Sequence, residues 1–227
     1  MLEVNGVSKK FGELTVLQNV AFKVNKGEKL GIIGPNGAGK TTLFNIISGF
    51  LKPDSGSIRF NGKSIIGKKP NHIAKLGLVR TFQIIKVFEN MTVQENLLTV
   101  SGDLSLLKNF GLWDKRFEPA SNLSHGELRK LSLALAISTK PKMLLLDEPF
   151  SGLTMNEAQE LADIISGTIS NGCSIVIIEH RLNELFNLAE RVIVLNSGKI
   201  IFNGSPEDAV RDNTVIEAYL GKKYARN

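Results

Sequence analysis

Two hydrophobic rhythms run along this chain. In Asn19-Val-Ala-Phe-Lys-Val24 and Ser57-Ile-Arg-Phe60 apolar and polar positions alternate. A two-residue period predicts half-exposed antiparallel strands. Elsewhere the apolar positions run together: Lys29–Ile33 reads as a buried strand, and strand patterns recur at Met143–Leu146, Ser174–Ile178 and Arg191–Leu195. Helical spacing fills the intervals at Thr42–Ile47, Asn156–Ser170 and Leu182–Ala189. Strands alternating with helices predict βαβ units on a parallel sheet.

The middle of the chain, Ile84–Lys140, lacks strand patterns and reads as helical. Thr92-Val-Gln-Glu95 and Ser124-His-Gly-Glu127 have the form of capping boxes, so each marks a helix start there. Ser205-Pro-Glu-Asp208 opens a later helix with Pro206 at its first position. No internal repeat, low-complexity tract or clear linker interrupts the pattern. The expectation is an α/β fold with a mainly parallel-sheet core, a small antiparallel β region and a helical subdomain. Residues 1–227 would form one domain, with the core and antiparallel region at about 1–83 and 141–227 and the helical subdomain at about 84–140.

With 227 residues, 42% of them hydrophobic, the chain can bury a sizeable core. No apolar run approaches the roughly 20 residues that span a bilayer. The start, Met1-Leu-Glu-Val-Asn5, has no basic segment followed by an apolar one, so no secretory signal is expected and the chain reads as cytosolic. The single Cys173 lies in an apolar run, which excludes an intramolecular disulfide and suits a small core residue. The net charge is +6, but Lys and Arg are spread out, and the clusters Lys68-Lys69 and Lys222-Lys223 have no interleaved aromatics. Specific nucleic-acid binding is therefore not expected.

Candidate chemistry begins at Gly34-Pro35-Asn36-Gly37-Ala38-Gly39-Lys40-Thr41-Thr42, which fits the phosphate-binding pattern G-x-x-x-x-G-K-[ST] without departure. The glycines let backbone N–H groups turn around phosphate oxygens, Lys40 can reach the β- and γ-phosphates, and the Thr41 hydroxyl can hold Mg²⁺. The strand before it and the helix after it place the phosphates on a helix N-terminus. Met143-Leu-Leu-Leu-Asp-Glu-Pro149 is an apolar strand ending in two carboxylates. Alone it could be a solvated acidic turn. With the phosphate loop upstream, Asp147 is placed to support a Mg²⁺ shell and Glu148 to polarise a water attacking the γ-phosphate.

These residues, in this order, resemble the ATP-binding subunits of ABC transporters over essentially the whole chain. Arg80-Thr-Phe-Gln83 is similar to the Q-loop, Leu123-Ser-His-Gly-Glu127 to the signature sequence, and Ser151-Gly-Leu-Thr154 occupies the D-loop position. Glu179-His180 matches the switch histidine, and Phe11 fits the aromatic that stacks on adenine. The resemblance implies ATP and Mg²⁺ as cofactors, with Gln83, Thr41 and Asp147 serving the metal. Glu148, His180, Gln83 and Lys40 would serve catalysis. It further implies a head-to-tail dimer in which each ATP lies between one subunit's phosphate loop and the other's Ser124, His125, Gly126 and Glu127. Judged by residue type alone, other readings stay open: Gln83 as a polar loop residue, Ser124 as a simple N-cap, His180 as a hydrogen-bonded core histidine, and Phe11 as a core aromatic. His72 reads as a surface helix residue and Trp113 as a packing anchor.

Three positions depart from the family pattern. His125 stands where glycine is usual, Glu127 adds a negative charge near phosphate, and Thr154 replaces the usual D-loop Asp. The run from Arg80 to Leu98, together with Ile178–Leu182 and the ending from Gly204, resembles ATPases of branched-chain amino-acid or urea/amide importers, although Leu98–Leu123 is short for that group. The expectation is an importer ATPase on the inner face of the membrane. Its partners would be a second ATPase subunit, permease subunits and an extracytoplasmic solute-binding protein. A soluble ABC ATPase acting on nucleic acid or in assembly, and an exporter subunit, are the alternatives.

Overall fold

The computed structural model describes residues 1–82, 86–169 and 172–220. In chain order the strands are β1 (Leu2–Phe11), β2 (Leu14–Val24), β3 (Lys29–Ile33), β4 (Ser55–Phe60), β5 (Lys63–Ser64), β6 (Leu78–Arg80), β7 (Met143–Asp147), β8 (Ser174–Ile178), β9 (Arg191–Asn196) and β10 (Lys199–Gly204). The helices are α1 (Lys40–Ile47), α2 (Pro70–Lys75), α3 (Val93–Leu98), α4 (Leu106–Asn109), α5 (His125–Ser138), α6 (Met155–Ile169), α7 (Leu182–Leu188), α8 (Pro206–Ala209) and α9 (Asn213–Leu220). Ser170, the expected end of α6, lies outside the described residues. Among the described residues no helix is long and apolar enough to cross a membrane.

The strands form two sheets. One is antiparallel with order β2-β1-β4-β5, and the other has order β10-β9-β3-β8-β7-β6, with all neighbours parallel except β10 on β9. The unbroken apolar runs follow from a core on each face of the larger sheet. Leu144, Leu146, Ile175, Ile177, Val192 and Val194 point into one core, shared with α5, α6 and the helical region. Their strand neighbours Met143, Leu145, Val176, Ile178, Ile193 and Leu195 point into the other, shared with α1 and the antiparallel sheet. Successive side chains thus serve opposite cores, so the strand interiors are apolar and the polar residues fall at strand ends, as Ser174 and Asp147 do.

Register places the chemistry. Asp147 pairs with Ile178, and Ile178 pairs with Ile32. Residues immediately after these pairs therefore leave the same carboxyl edge side by side: Glu148 from β7, Glu179 and His180 from β8, and the Gly34 loop from β3. That edge is where open α/β sheets bind ligands.

In the helical region both anticipated capping boxes form. Thr92 and Glu95 cap α3, and Ser124 and Glu127 cap α5, each pair exchanging side-chain and backbone bonds. Asn96 is fully buried, and its amide closes the turn before α3, accepting from Phe88 N at 2.7 Å and donating to Phe88 O at 2.9 Å. Trp113 packs against the core with the cations of Lys108 and Arg116 at 4.7 and 4.5 Å from its ring. His72 is exposed on α2.

Candidate active site

The loop from Gly34 to Gly39 exists because two positions exclude side chains. At Gly34 a Cβ would sit 2.0 Å from the Leu195 carbonyl oxygen. At Gly39, where φ is 103°, it would meet Leu17 Cδ2 at 2.7 Å and Val16 O at 2.8 Å. Gly39 also starts α1 without any side-chain cap, and the first turn carries no acidic residue. The first-turn amides are thereby left for a ligand, and the helix dipole favours an anionic one.

The loop borders a hollow of about 320 Å³, lined by Asn36–Thr42 together with Leu14, Val16, Glu148 and His180. Lys40 donates to Gly34 O at 2.6 Å and Pro35 O at 3.1 Å, so its ammonium spans the loop. Burial lowers the Lys40 pKa, and the nearby charges of Glu148 and Asp147 oppose that fall. Across the hollow, His180 Nε2 lies 2.9 Å from Glu148 Oε1. Glu148 has φ 49°, a left-handed conformation rare for residues other than glycine, and its N–H donates to Ile178 O at 2.9 Å. The phosphate loop, a carboxylate and an imidazole thus share one cavity. A larger hollow of about 370 Å³, bordered by Ser101, Lys140 and Cys173 among others, contains none of the expected site residues. Burial pushes the Cys173 thiol there to about 11, as befits a core residue.

Glu179, next to His180, is buried and structural. It accepts from the backbone N–H groups of Phe150, His180 and Arg181 at 2.8, 2.8 and 3.1 Å, tying the β7 turn to the β8 turn. Burial raises its pKa despite those three bonds. Asp147 is also buried and pairs with Arg80, Nη2 to Oδ2 at 2.7 Å. Thr41 and Asp147 offer hard oxygen donors of the kind Mg²⁺ takes. Among the described residues no cluster of three or more His, Cys, Asp or Glu could hold a metal.

Some expected residues lie elsewhere. Gln83 is outside the described residues. Phe11 does not line the hollow: it sits at the β1–β2 hairpin paired with Leu14, 49% exposed, with Lys9 Nζ at 5.5 Å from its ring. Leu14 and Val16 supply the apolar wall instead. If Phe11 closes over an adenine, Phe11→Ala is expected to weaken ATP and GTP alike by about 1–3 kcal/mol, because stacking hardly reads base identity. Parallel titrations with fluorescent ATP and GTP analogues check this. Unchanged affinities with a lowered melting temperature would make Phe11 a packing residue.

The signature-like residues stand at the start of α5, with Ser124 and His125 exposed and Gly126 buried. Each departure from the family pattern has a local partner. Lys115 Nζ lies 2.9 Å from Glu127 Oε1, which offsets the added charge. Burial acts to raise the Glu127 pKa, but Lys115 and the Ser124 amide hold it below its ordinary value. The His125 ring rests on the Ser151–Gly152 turn, with Nε2 at 3.3 Å from Ser151 O. Thr154 forms a capping box with Glu157: Thr154 N and Oγ1 each donate at 2.8 Å, and Glu157 N donates back at 3.3 Å. Thr154-Met-Asn-Glu157 has the capping-box spacing and was a legible signal. Sequence reasoning also missed Arg80, quoted only as part of a motif, and Arg129. Arg129 is buried on α5, donates to Phe82 O at 3.3 Å, and lies in the field of Glu179, Glu148 and Asp147.

Residues 17–151 match the ABC transporter family. The high-affinity branched-chain amino acid transport ATP-binding protein LivG of Salmonella typhimurium is 36% identical over 250 aligned positions, covering 98% of each chain. BraF of Pseudomonas aeruginosa, with the same description, is 36% identical over 252 positions, again covering 98% of each. Both alignments are longer than the 227 residues here, so these relatives carry insertions that this chain lacks. Among solved structures, a nucleotide-free ATP-binding cassette from an ABC transporter superposes with a TM-score of 0.90 at 32% identity, covering 98% of this chain and 99% of its own. The ADP conformation of an ABC-transporter cassette gives 0.89 at 32% identity, covering 98% and 99%.

Proposed function

The chain belongs to the ABC transporter ATP-binding family, and from that premise we propose that it powers an importer for branched-chain or related amino acids. The family hydrolyses ATP to drive transport. The observation that carries the catalytic reading is the Glu148–His180 pair at 2.9 Å on the wall of the phosphate-loop hollow. Lys40 would exchange the Gly34 and Pro35 carbonyls for β- and γ-phosphate oxygens. Amides of the loop and of the first turn of α1 would take the remaining phosphate oxygens. Glu148, aimed by its left-handed backbone and steadied by His180, would orient and polarise the attacking water. Thr41 and Asp147 would hold Mg²⁺, which when bound offsets charge on the phosphates. Gln83 would join that shell.

The working unit would be a dimer that traps ATP between one subunit's phosphate loop and the partner subunit's α5 start, where Ser124 and the helix dipole meet the γ-phosphate. Two permease subunits and an extracytoplasmic binding protein would complete the system, and the ATPase would sit on the cytoplasmic face by holding the permease. The segment after Gln83 would receive a short permease helix. Of that segment Ile84 and Ile85 lie outside the described residues. Phe88 is 59% exposed, yet its backbone is clamped on both sides by Asn96. An exposed apolar ring on a fixed backbone suits docking.

The test is affinity purification of the tagged protein from detergent-solubilised membranes, with nuclease present. Permease subunits are expected to co-purify, and Phe88→Asp is expected to release them while leaving ATP hydrolysis by the isolated protein within about twofold, as surface changes usually do. Recovery of soluble partners or nucleic acid alone, without membrane protein, would overturn the importer reading.

A further inference from the structure

We propose that Arg80 is the positioning residue of the metal site: it fixes the Asp147 carboxylate to the helix that carries Thr41. This rests on the assignment of Asp147 and Thr41 to Mg²⁺. The two oxygen donors come from different elements, Asp147 from the end of β7 and Thr41 from the start of α1. Arg80 joins those elements. Its Nη2 donates to Asp147 Oδ2 at 2.7 Å, and its Nη1 donates to Asn45 Oδ1 at 2.7 Å and Ser48 Oγ at 3.1 Å, both on or just after α1. Ser48 Oγ itself donates to Phe44 O at 2.5 Å, so this end of the clamp is locked to the helix backbone.

The guanidinium has little freedom. Its carbon lies 5.5 Å from the centre of the Phe44 ring and 5.1 Å from that of Phe82, and the side chain is only 5% exposed. Its Nε is buried without a hydrogen-bond partner, a cost that an apolar residue would avoid. A planar fork with donors on separate arms can hold two acceptors at a set separation, and the single ammonium of lysine cannot do so from the same place. Arg80 therefore sets where the carboxylate of β7 stands relative to the phosphate-loop helix. Loss of a partner that orients a metal-supporting group typically costs 10–100-fold in metal affinity.

The experiment uses the full chain and a fluorescent ATP analogue, first with excess chelator and then with increasing Mg²⁺. Asp147→Asn sets the scale by shifting the Mg²⁺ half-point. Arg80→Gln is expected to bind the analogue without metal as the wild type does, yet to raise the Mg²⁺ half-point by about tenfold or more, with Arg80→Lys in between. An unshifted half-point in Arg80→Gln, beside a shifted one in Asp147→Asn, overturns the proposal and leaves the metal assignment standing. Unshifted half-points in both variants sink the metal assignment and the proposal with it. Should Arg80→Gln fail to bind nucleotide even without metal, Asn45→Ala decides, because it removes the shorter of the two bonds that hold Nη1 to the helix and keeps the ion pair. A half-point raised by about threefold supports positioning, and an unchanged one overturns it.

Discussion

Glu148→Gln is expected to retain ATP binding and to hydrolyse it roughly 10²–10⁴-fold more slowly, the usual effect of removing one positioned general base. In barrier height that is about 3–5 kcal/mol. The substitution is nearly isosteric, so the turn after β7 keeps its shape. The Glu148 N–H still bonds Ile178 O, and the new amide can still meet His180 Nε2, which lies 2.9 Å from the present carboxylate. What disappears is the negative charge that, on the proposed reading, would polarise water beside the γ-phosphate. The variant should therefore accumulate as an ATP-bound dimer, visible by size exclusion, while phosphate release nearly stops. Phosphate release near the wild-type rate would remove Glu148 from the chemistry.

The second large effect is on assembly. Ser124→Arg is expected to abolish ATP-driven dimerisation and leave nucleotide binding by the monomer intact. Ser124 caps α5 by accepting from Glu127 N at 3.2 Å, while the Ser124 N–H donates to Glu127 Oε2 at 2.9 Å. Losing the side-chain cap alone costs about 1 kcal/mol. Ser124→Ala measures that loss without the bulk. In a Glu148→Gln background, Ser124→Ala should still dimerise with ATP. Arginine would push a long side chain into the space of the partner's γ-phosphate. A Ser124→Arg protein that forms the same dimer would contradict a site shared between subunits.

Most of the architecture could be read before the structure because the signals were local or continuous. The runs at Lys29–Ile33 and Ser174–Ile178 became β3 and β8 with those bounds, since a strand between two cores is apolar throughout the stretch after its first residue. Strand β1 was missed for the opposite reason. Its alternation holds at Leu2 and Val4, then slips at a register shift beside Gly6, φ 62°, so that Val7 faces inward out of phase. A two-residue period cannot be read through a bulge. Strand β6 spans only Leu78–Arg80 and is held by its pairing to β7, a long-range cause that leaves no periodic trace.

The positions of the Gly34–Thr42 loop and of the two carboxylates at the end of β7 were legible because motif and neighbouring elements agree over a short stretch. Arg80 and Arg129 were not. Their partners lie far off in sequence: Asp147 for Arg80 and the Phe82 carbonyl for Arg129. A buried arginine looks like a surface one until the fold brings its partner near. Glu127 is an intermediate case. Its capping role could be read three residues from Ser124, but the neutralising Lys115 became visible only once the loop before α5 had folded back.

The most direct measurement is uptake of labelled leucine, isoleucine and valine by cells of the source organism lacking this gene, complemented with the wild type or with Glu148→Gln. The expected result is loss of high-affinity uptake on deletion, restored by the wild-type chain and not by the hydrolysis-defective one. Uptake unchanged by the deletion, or restored equally well by Glu148→Gln, would contradict the conclusion that ATP turnover by this chain drives the import of these amino acids.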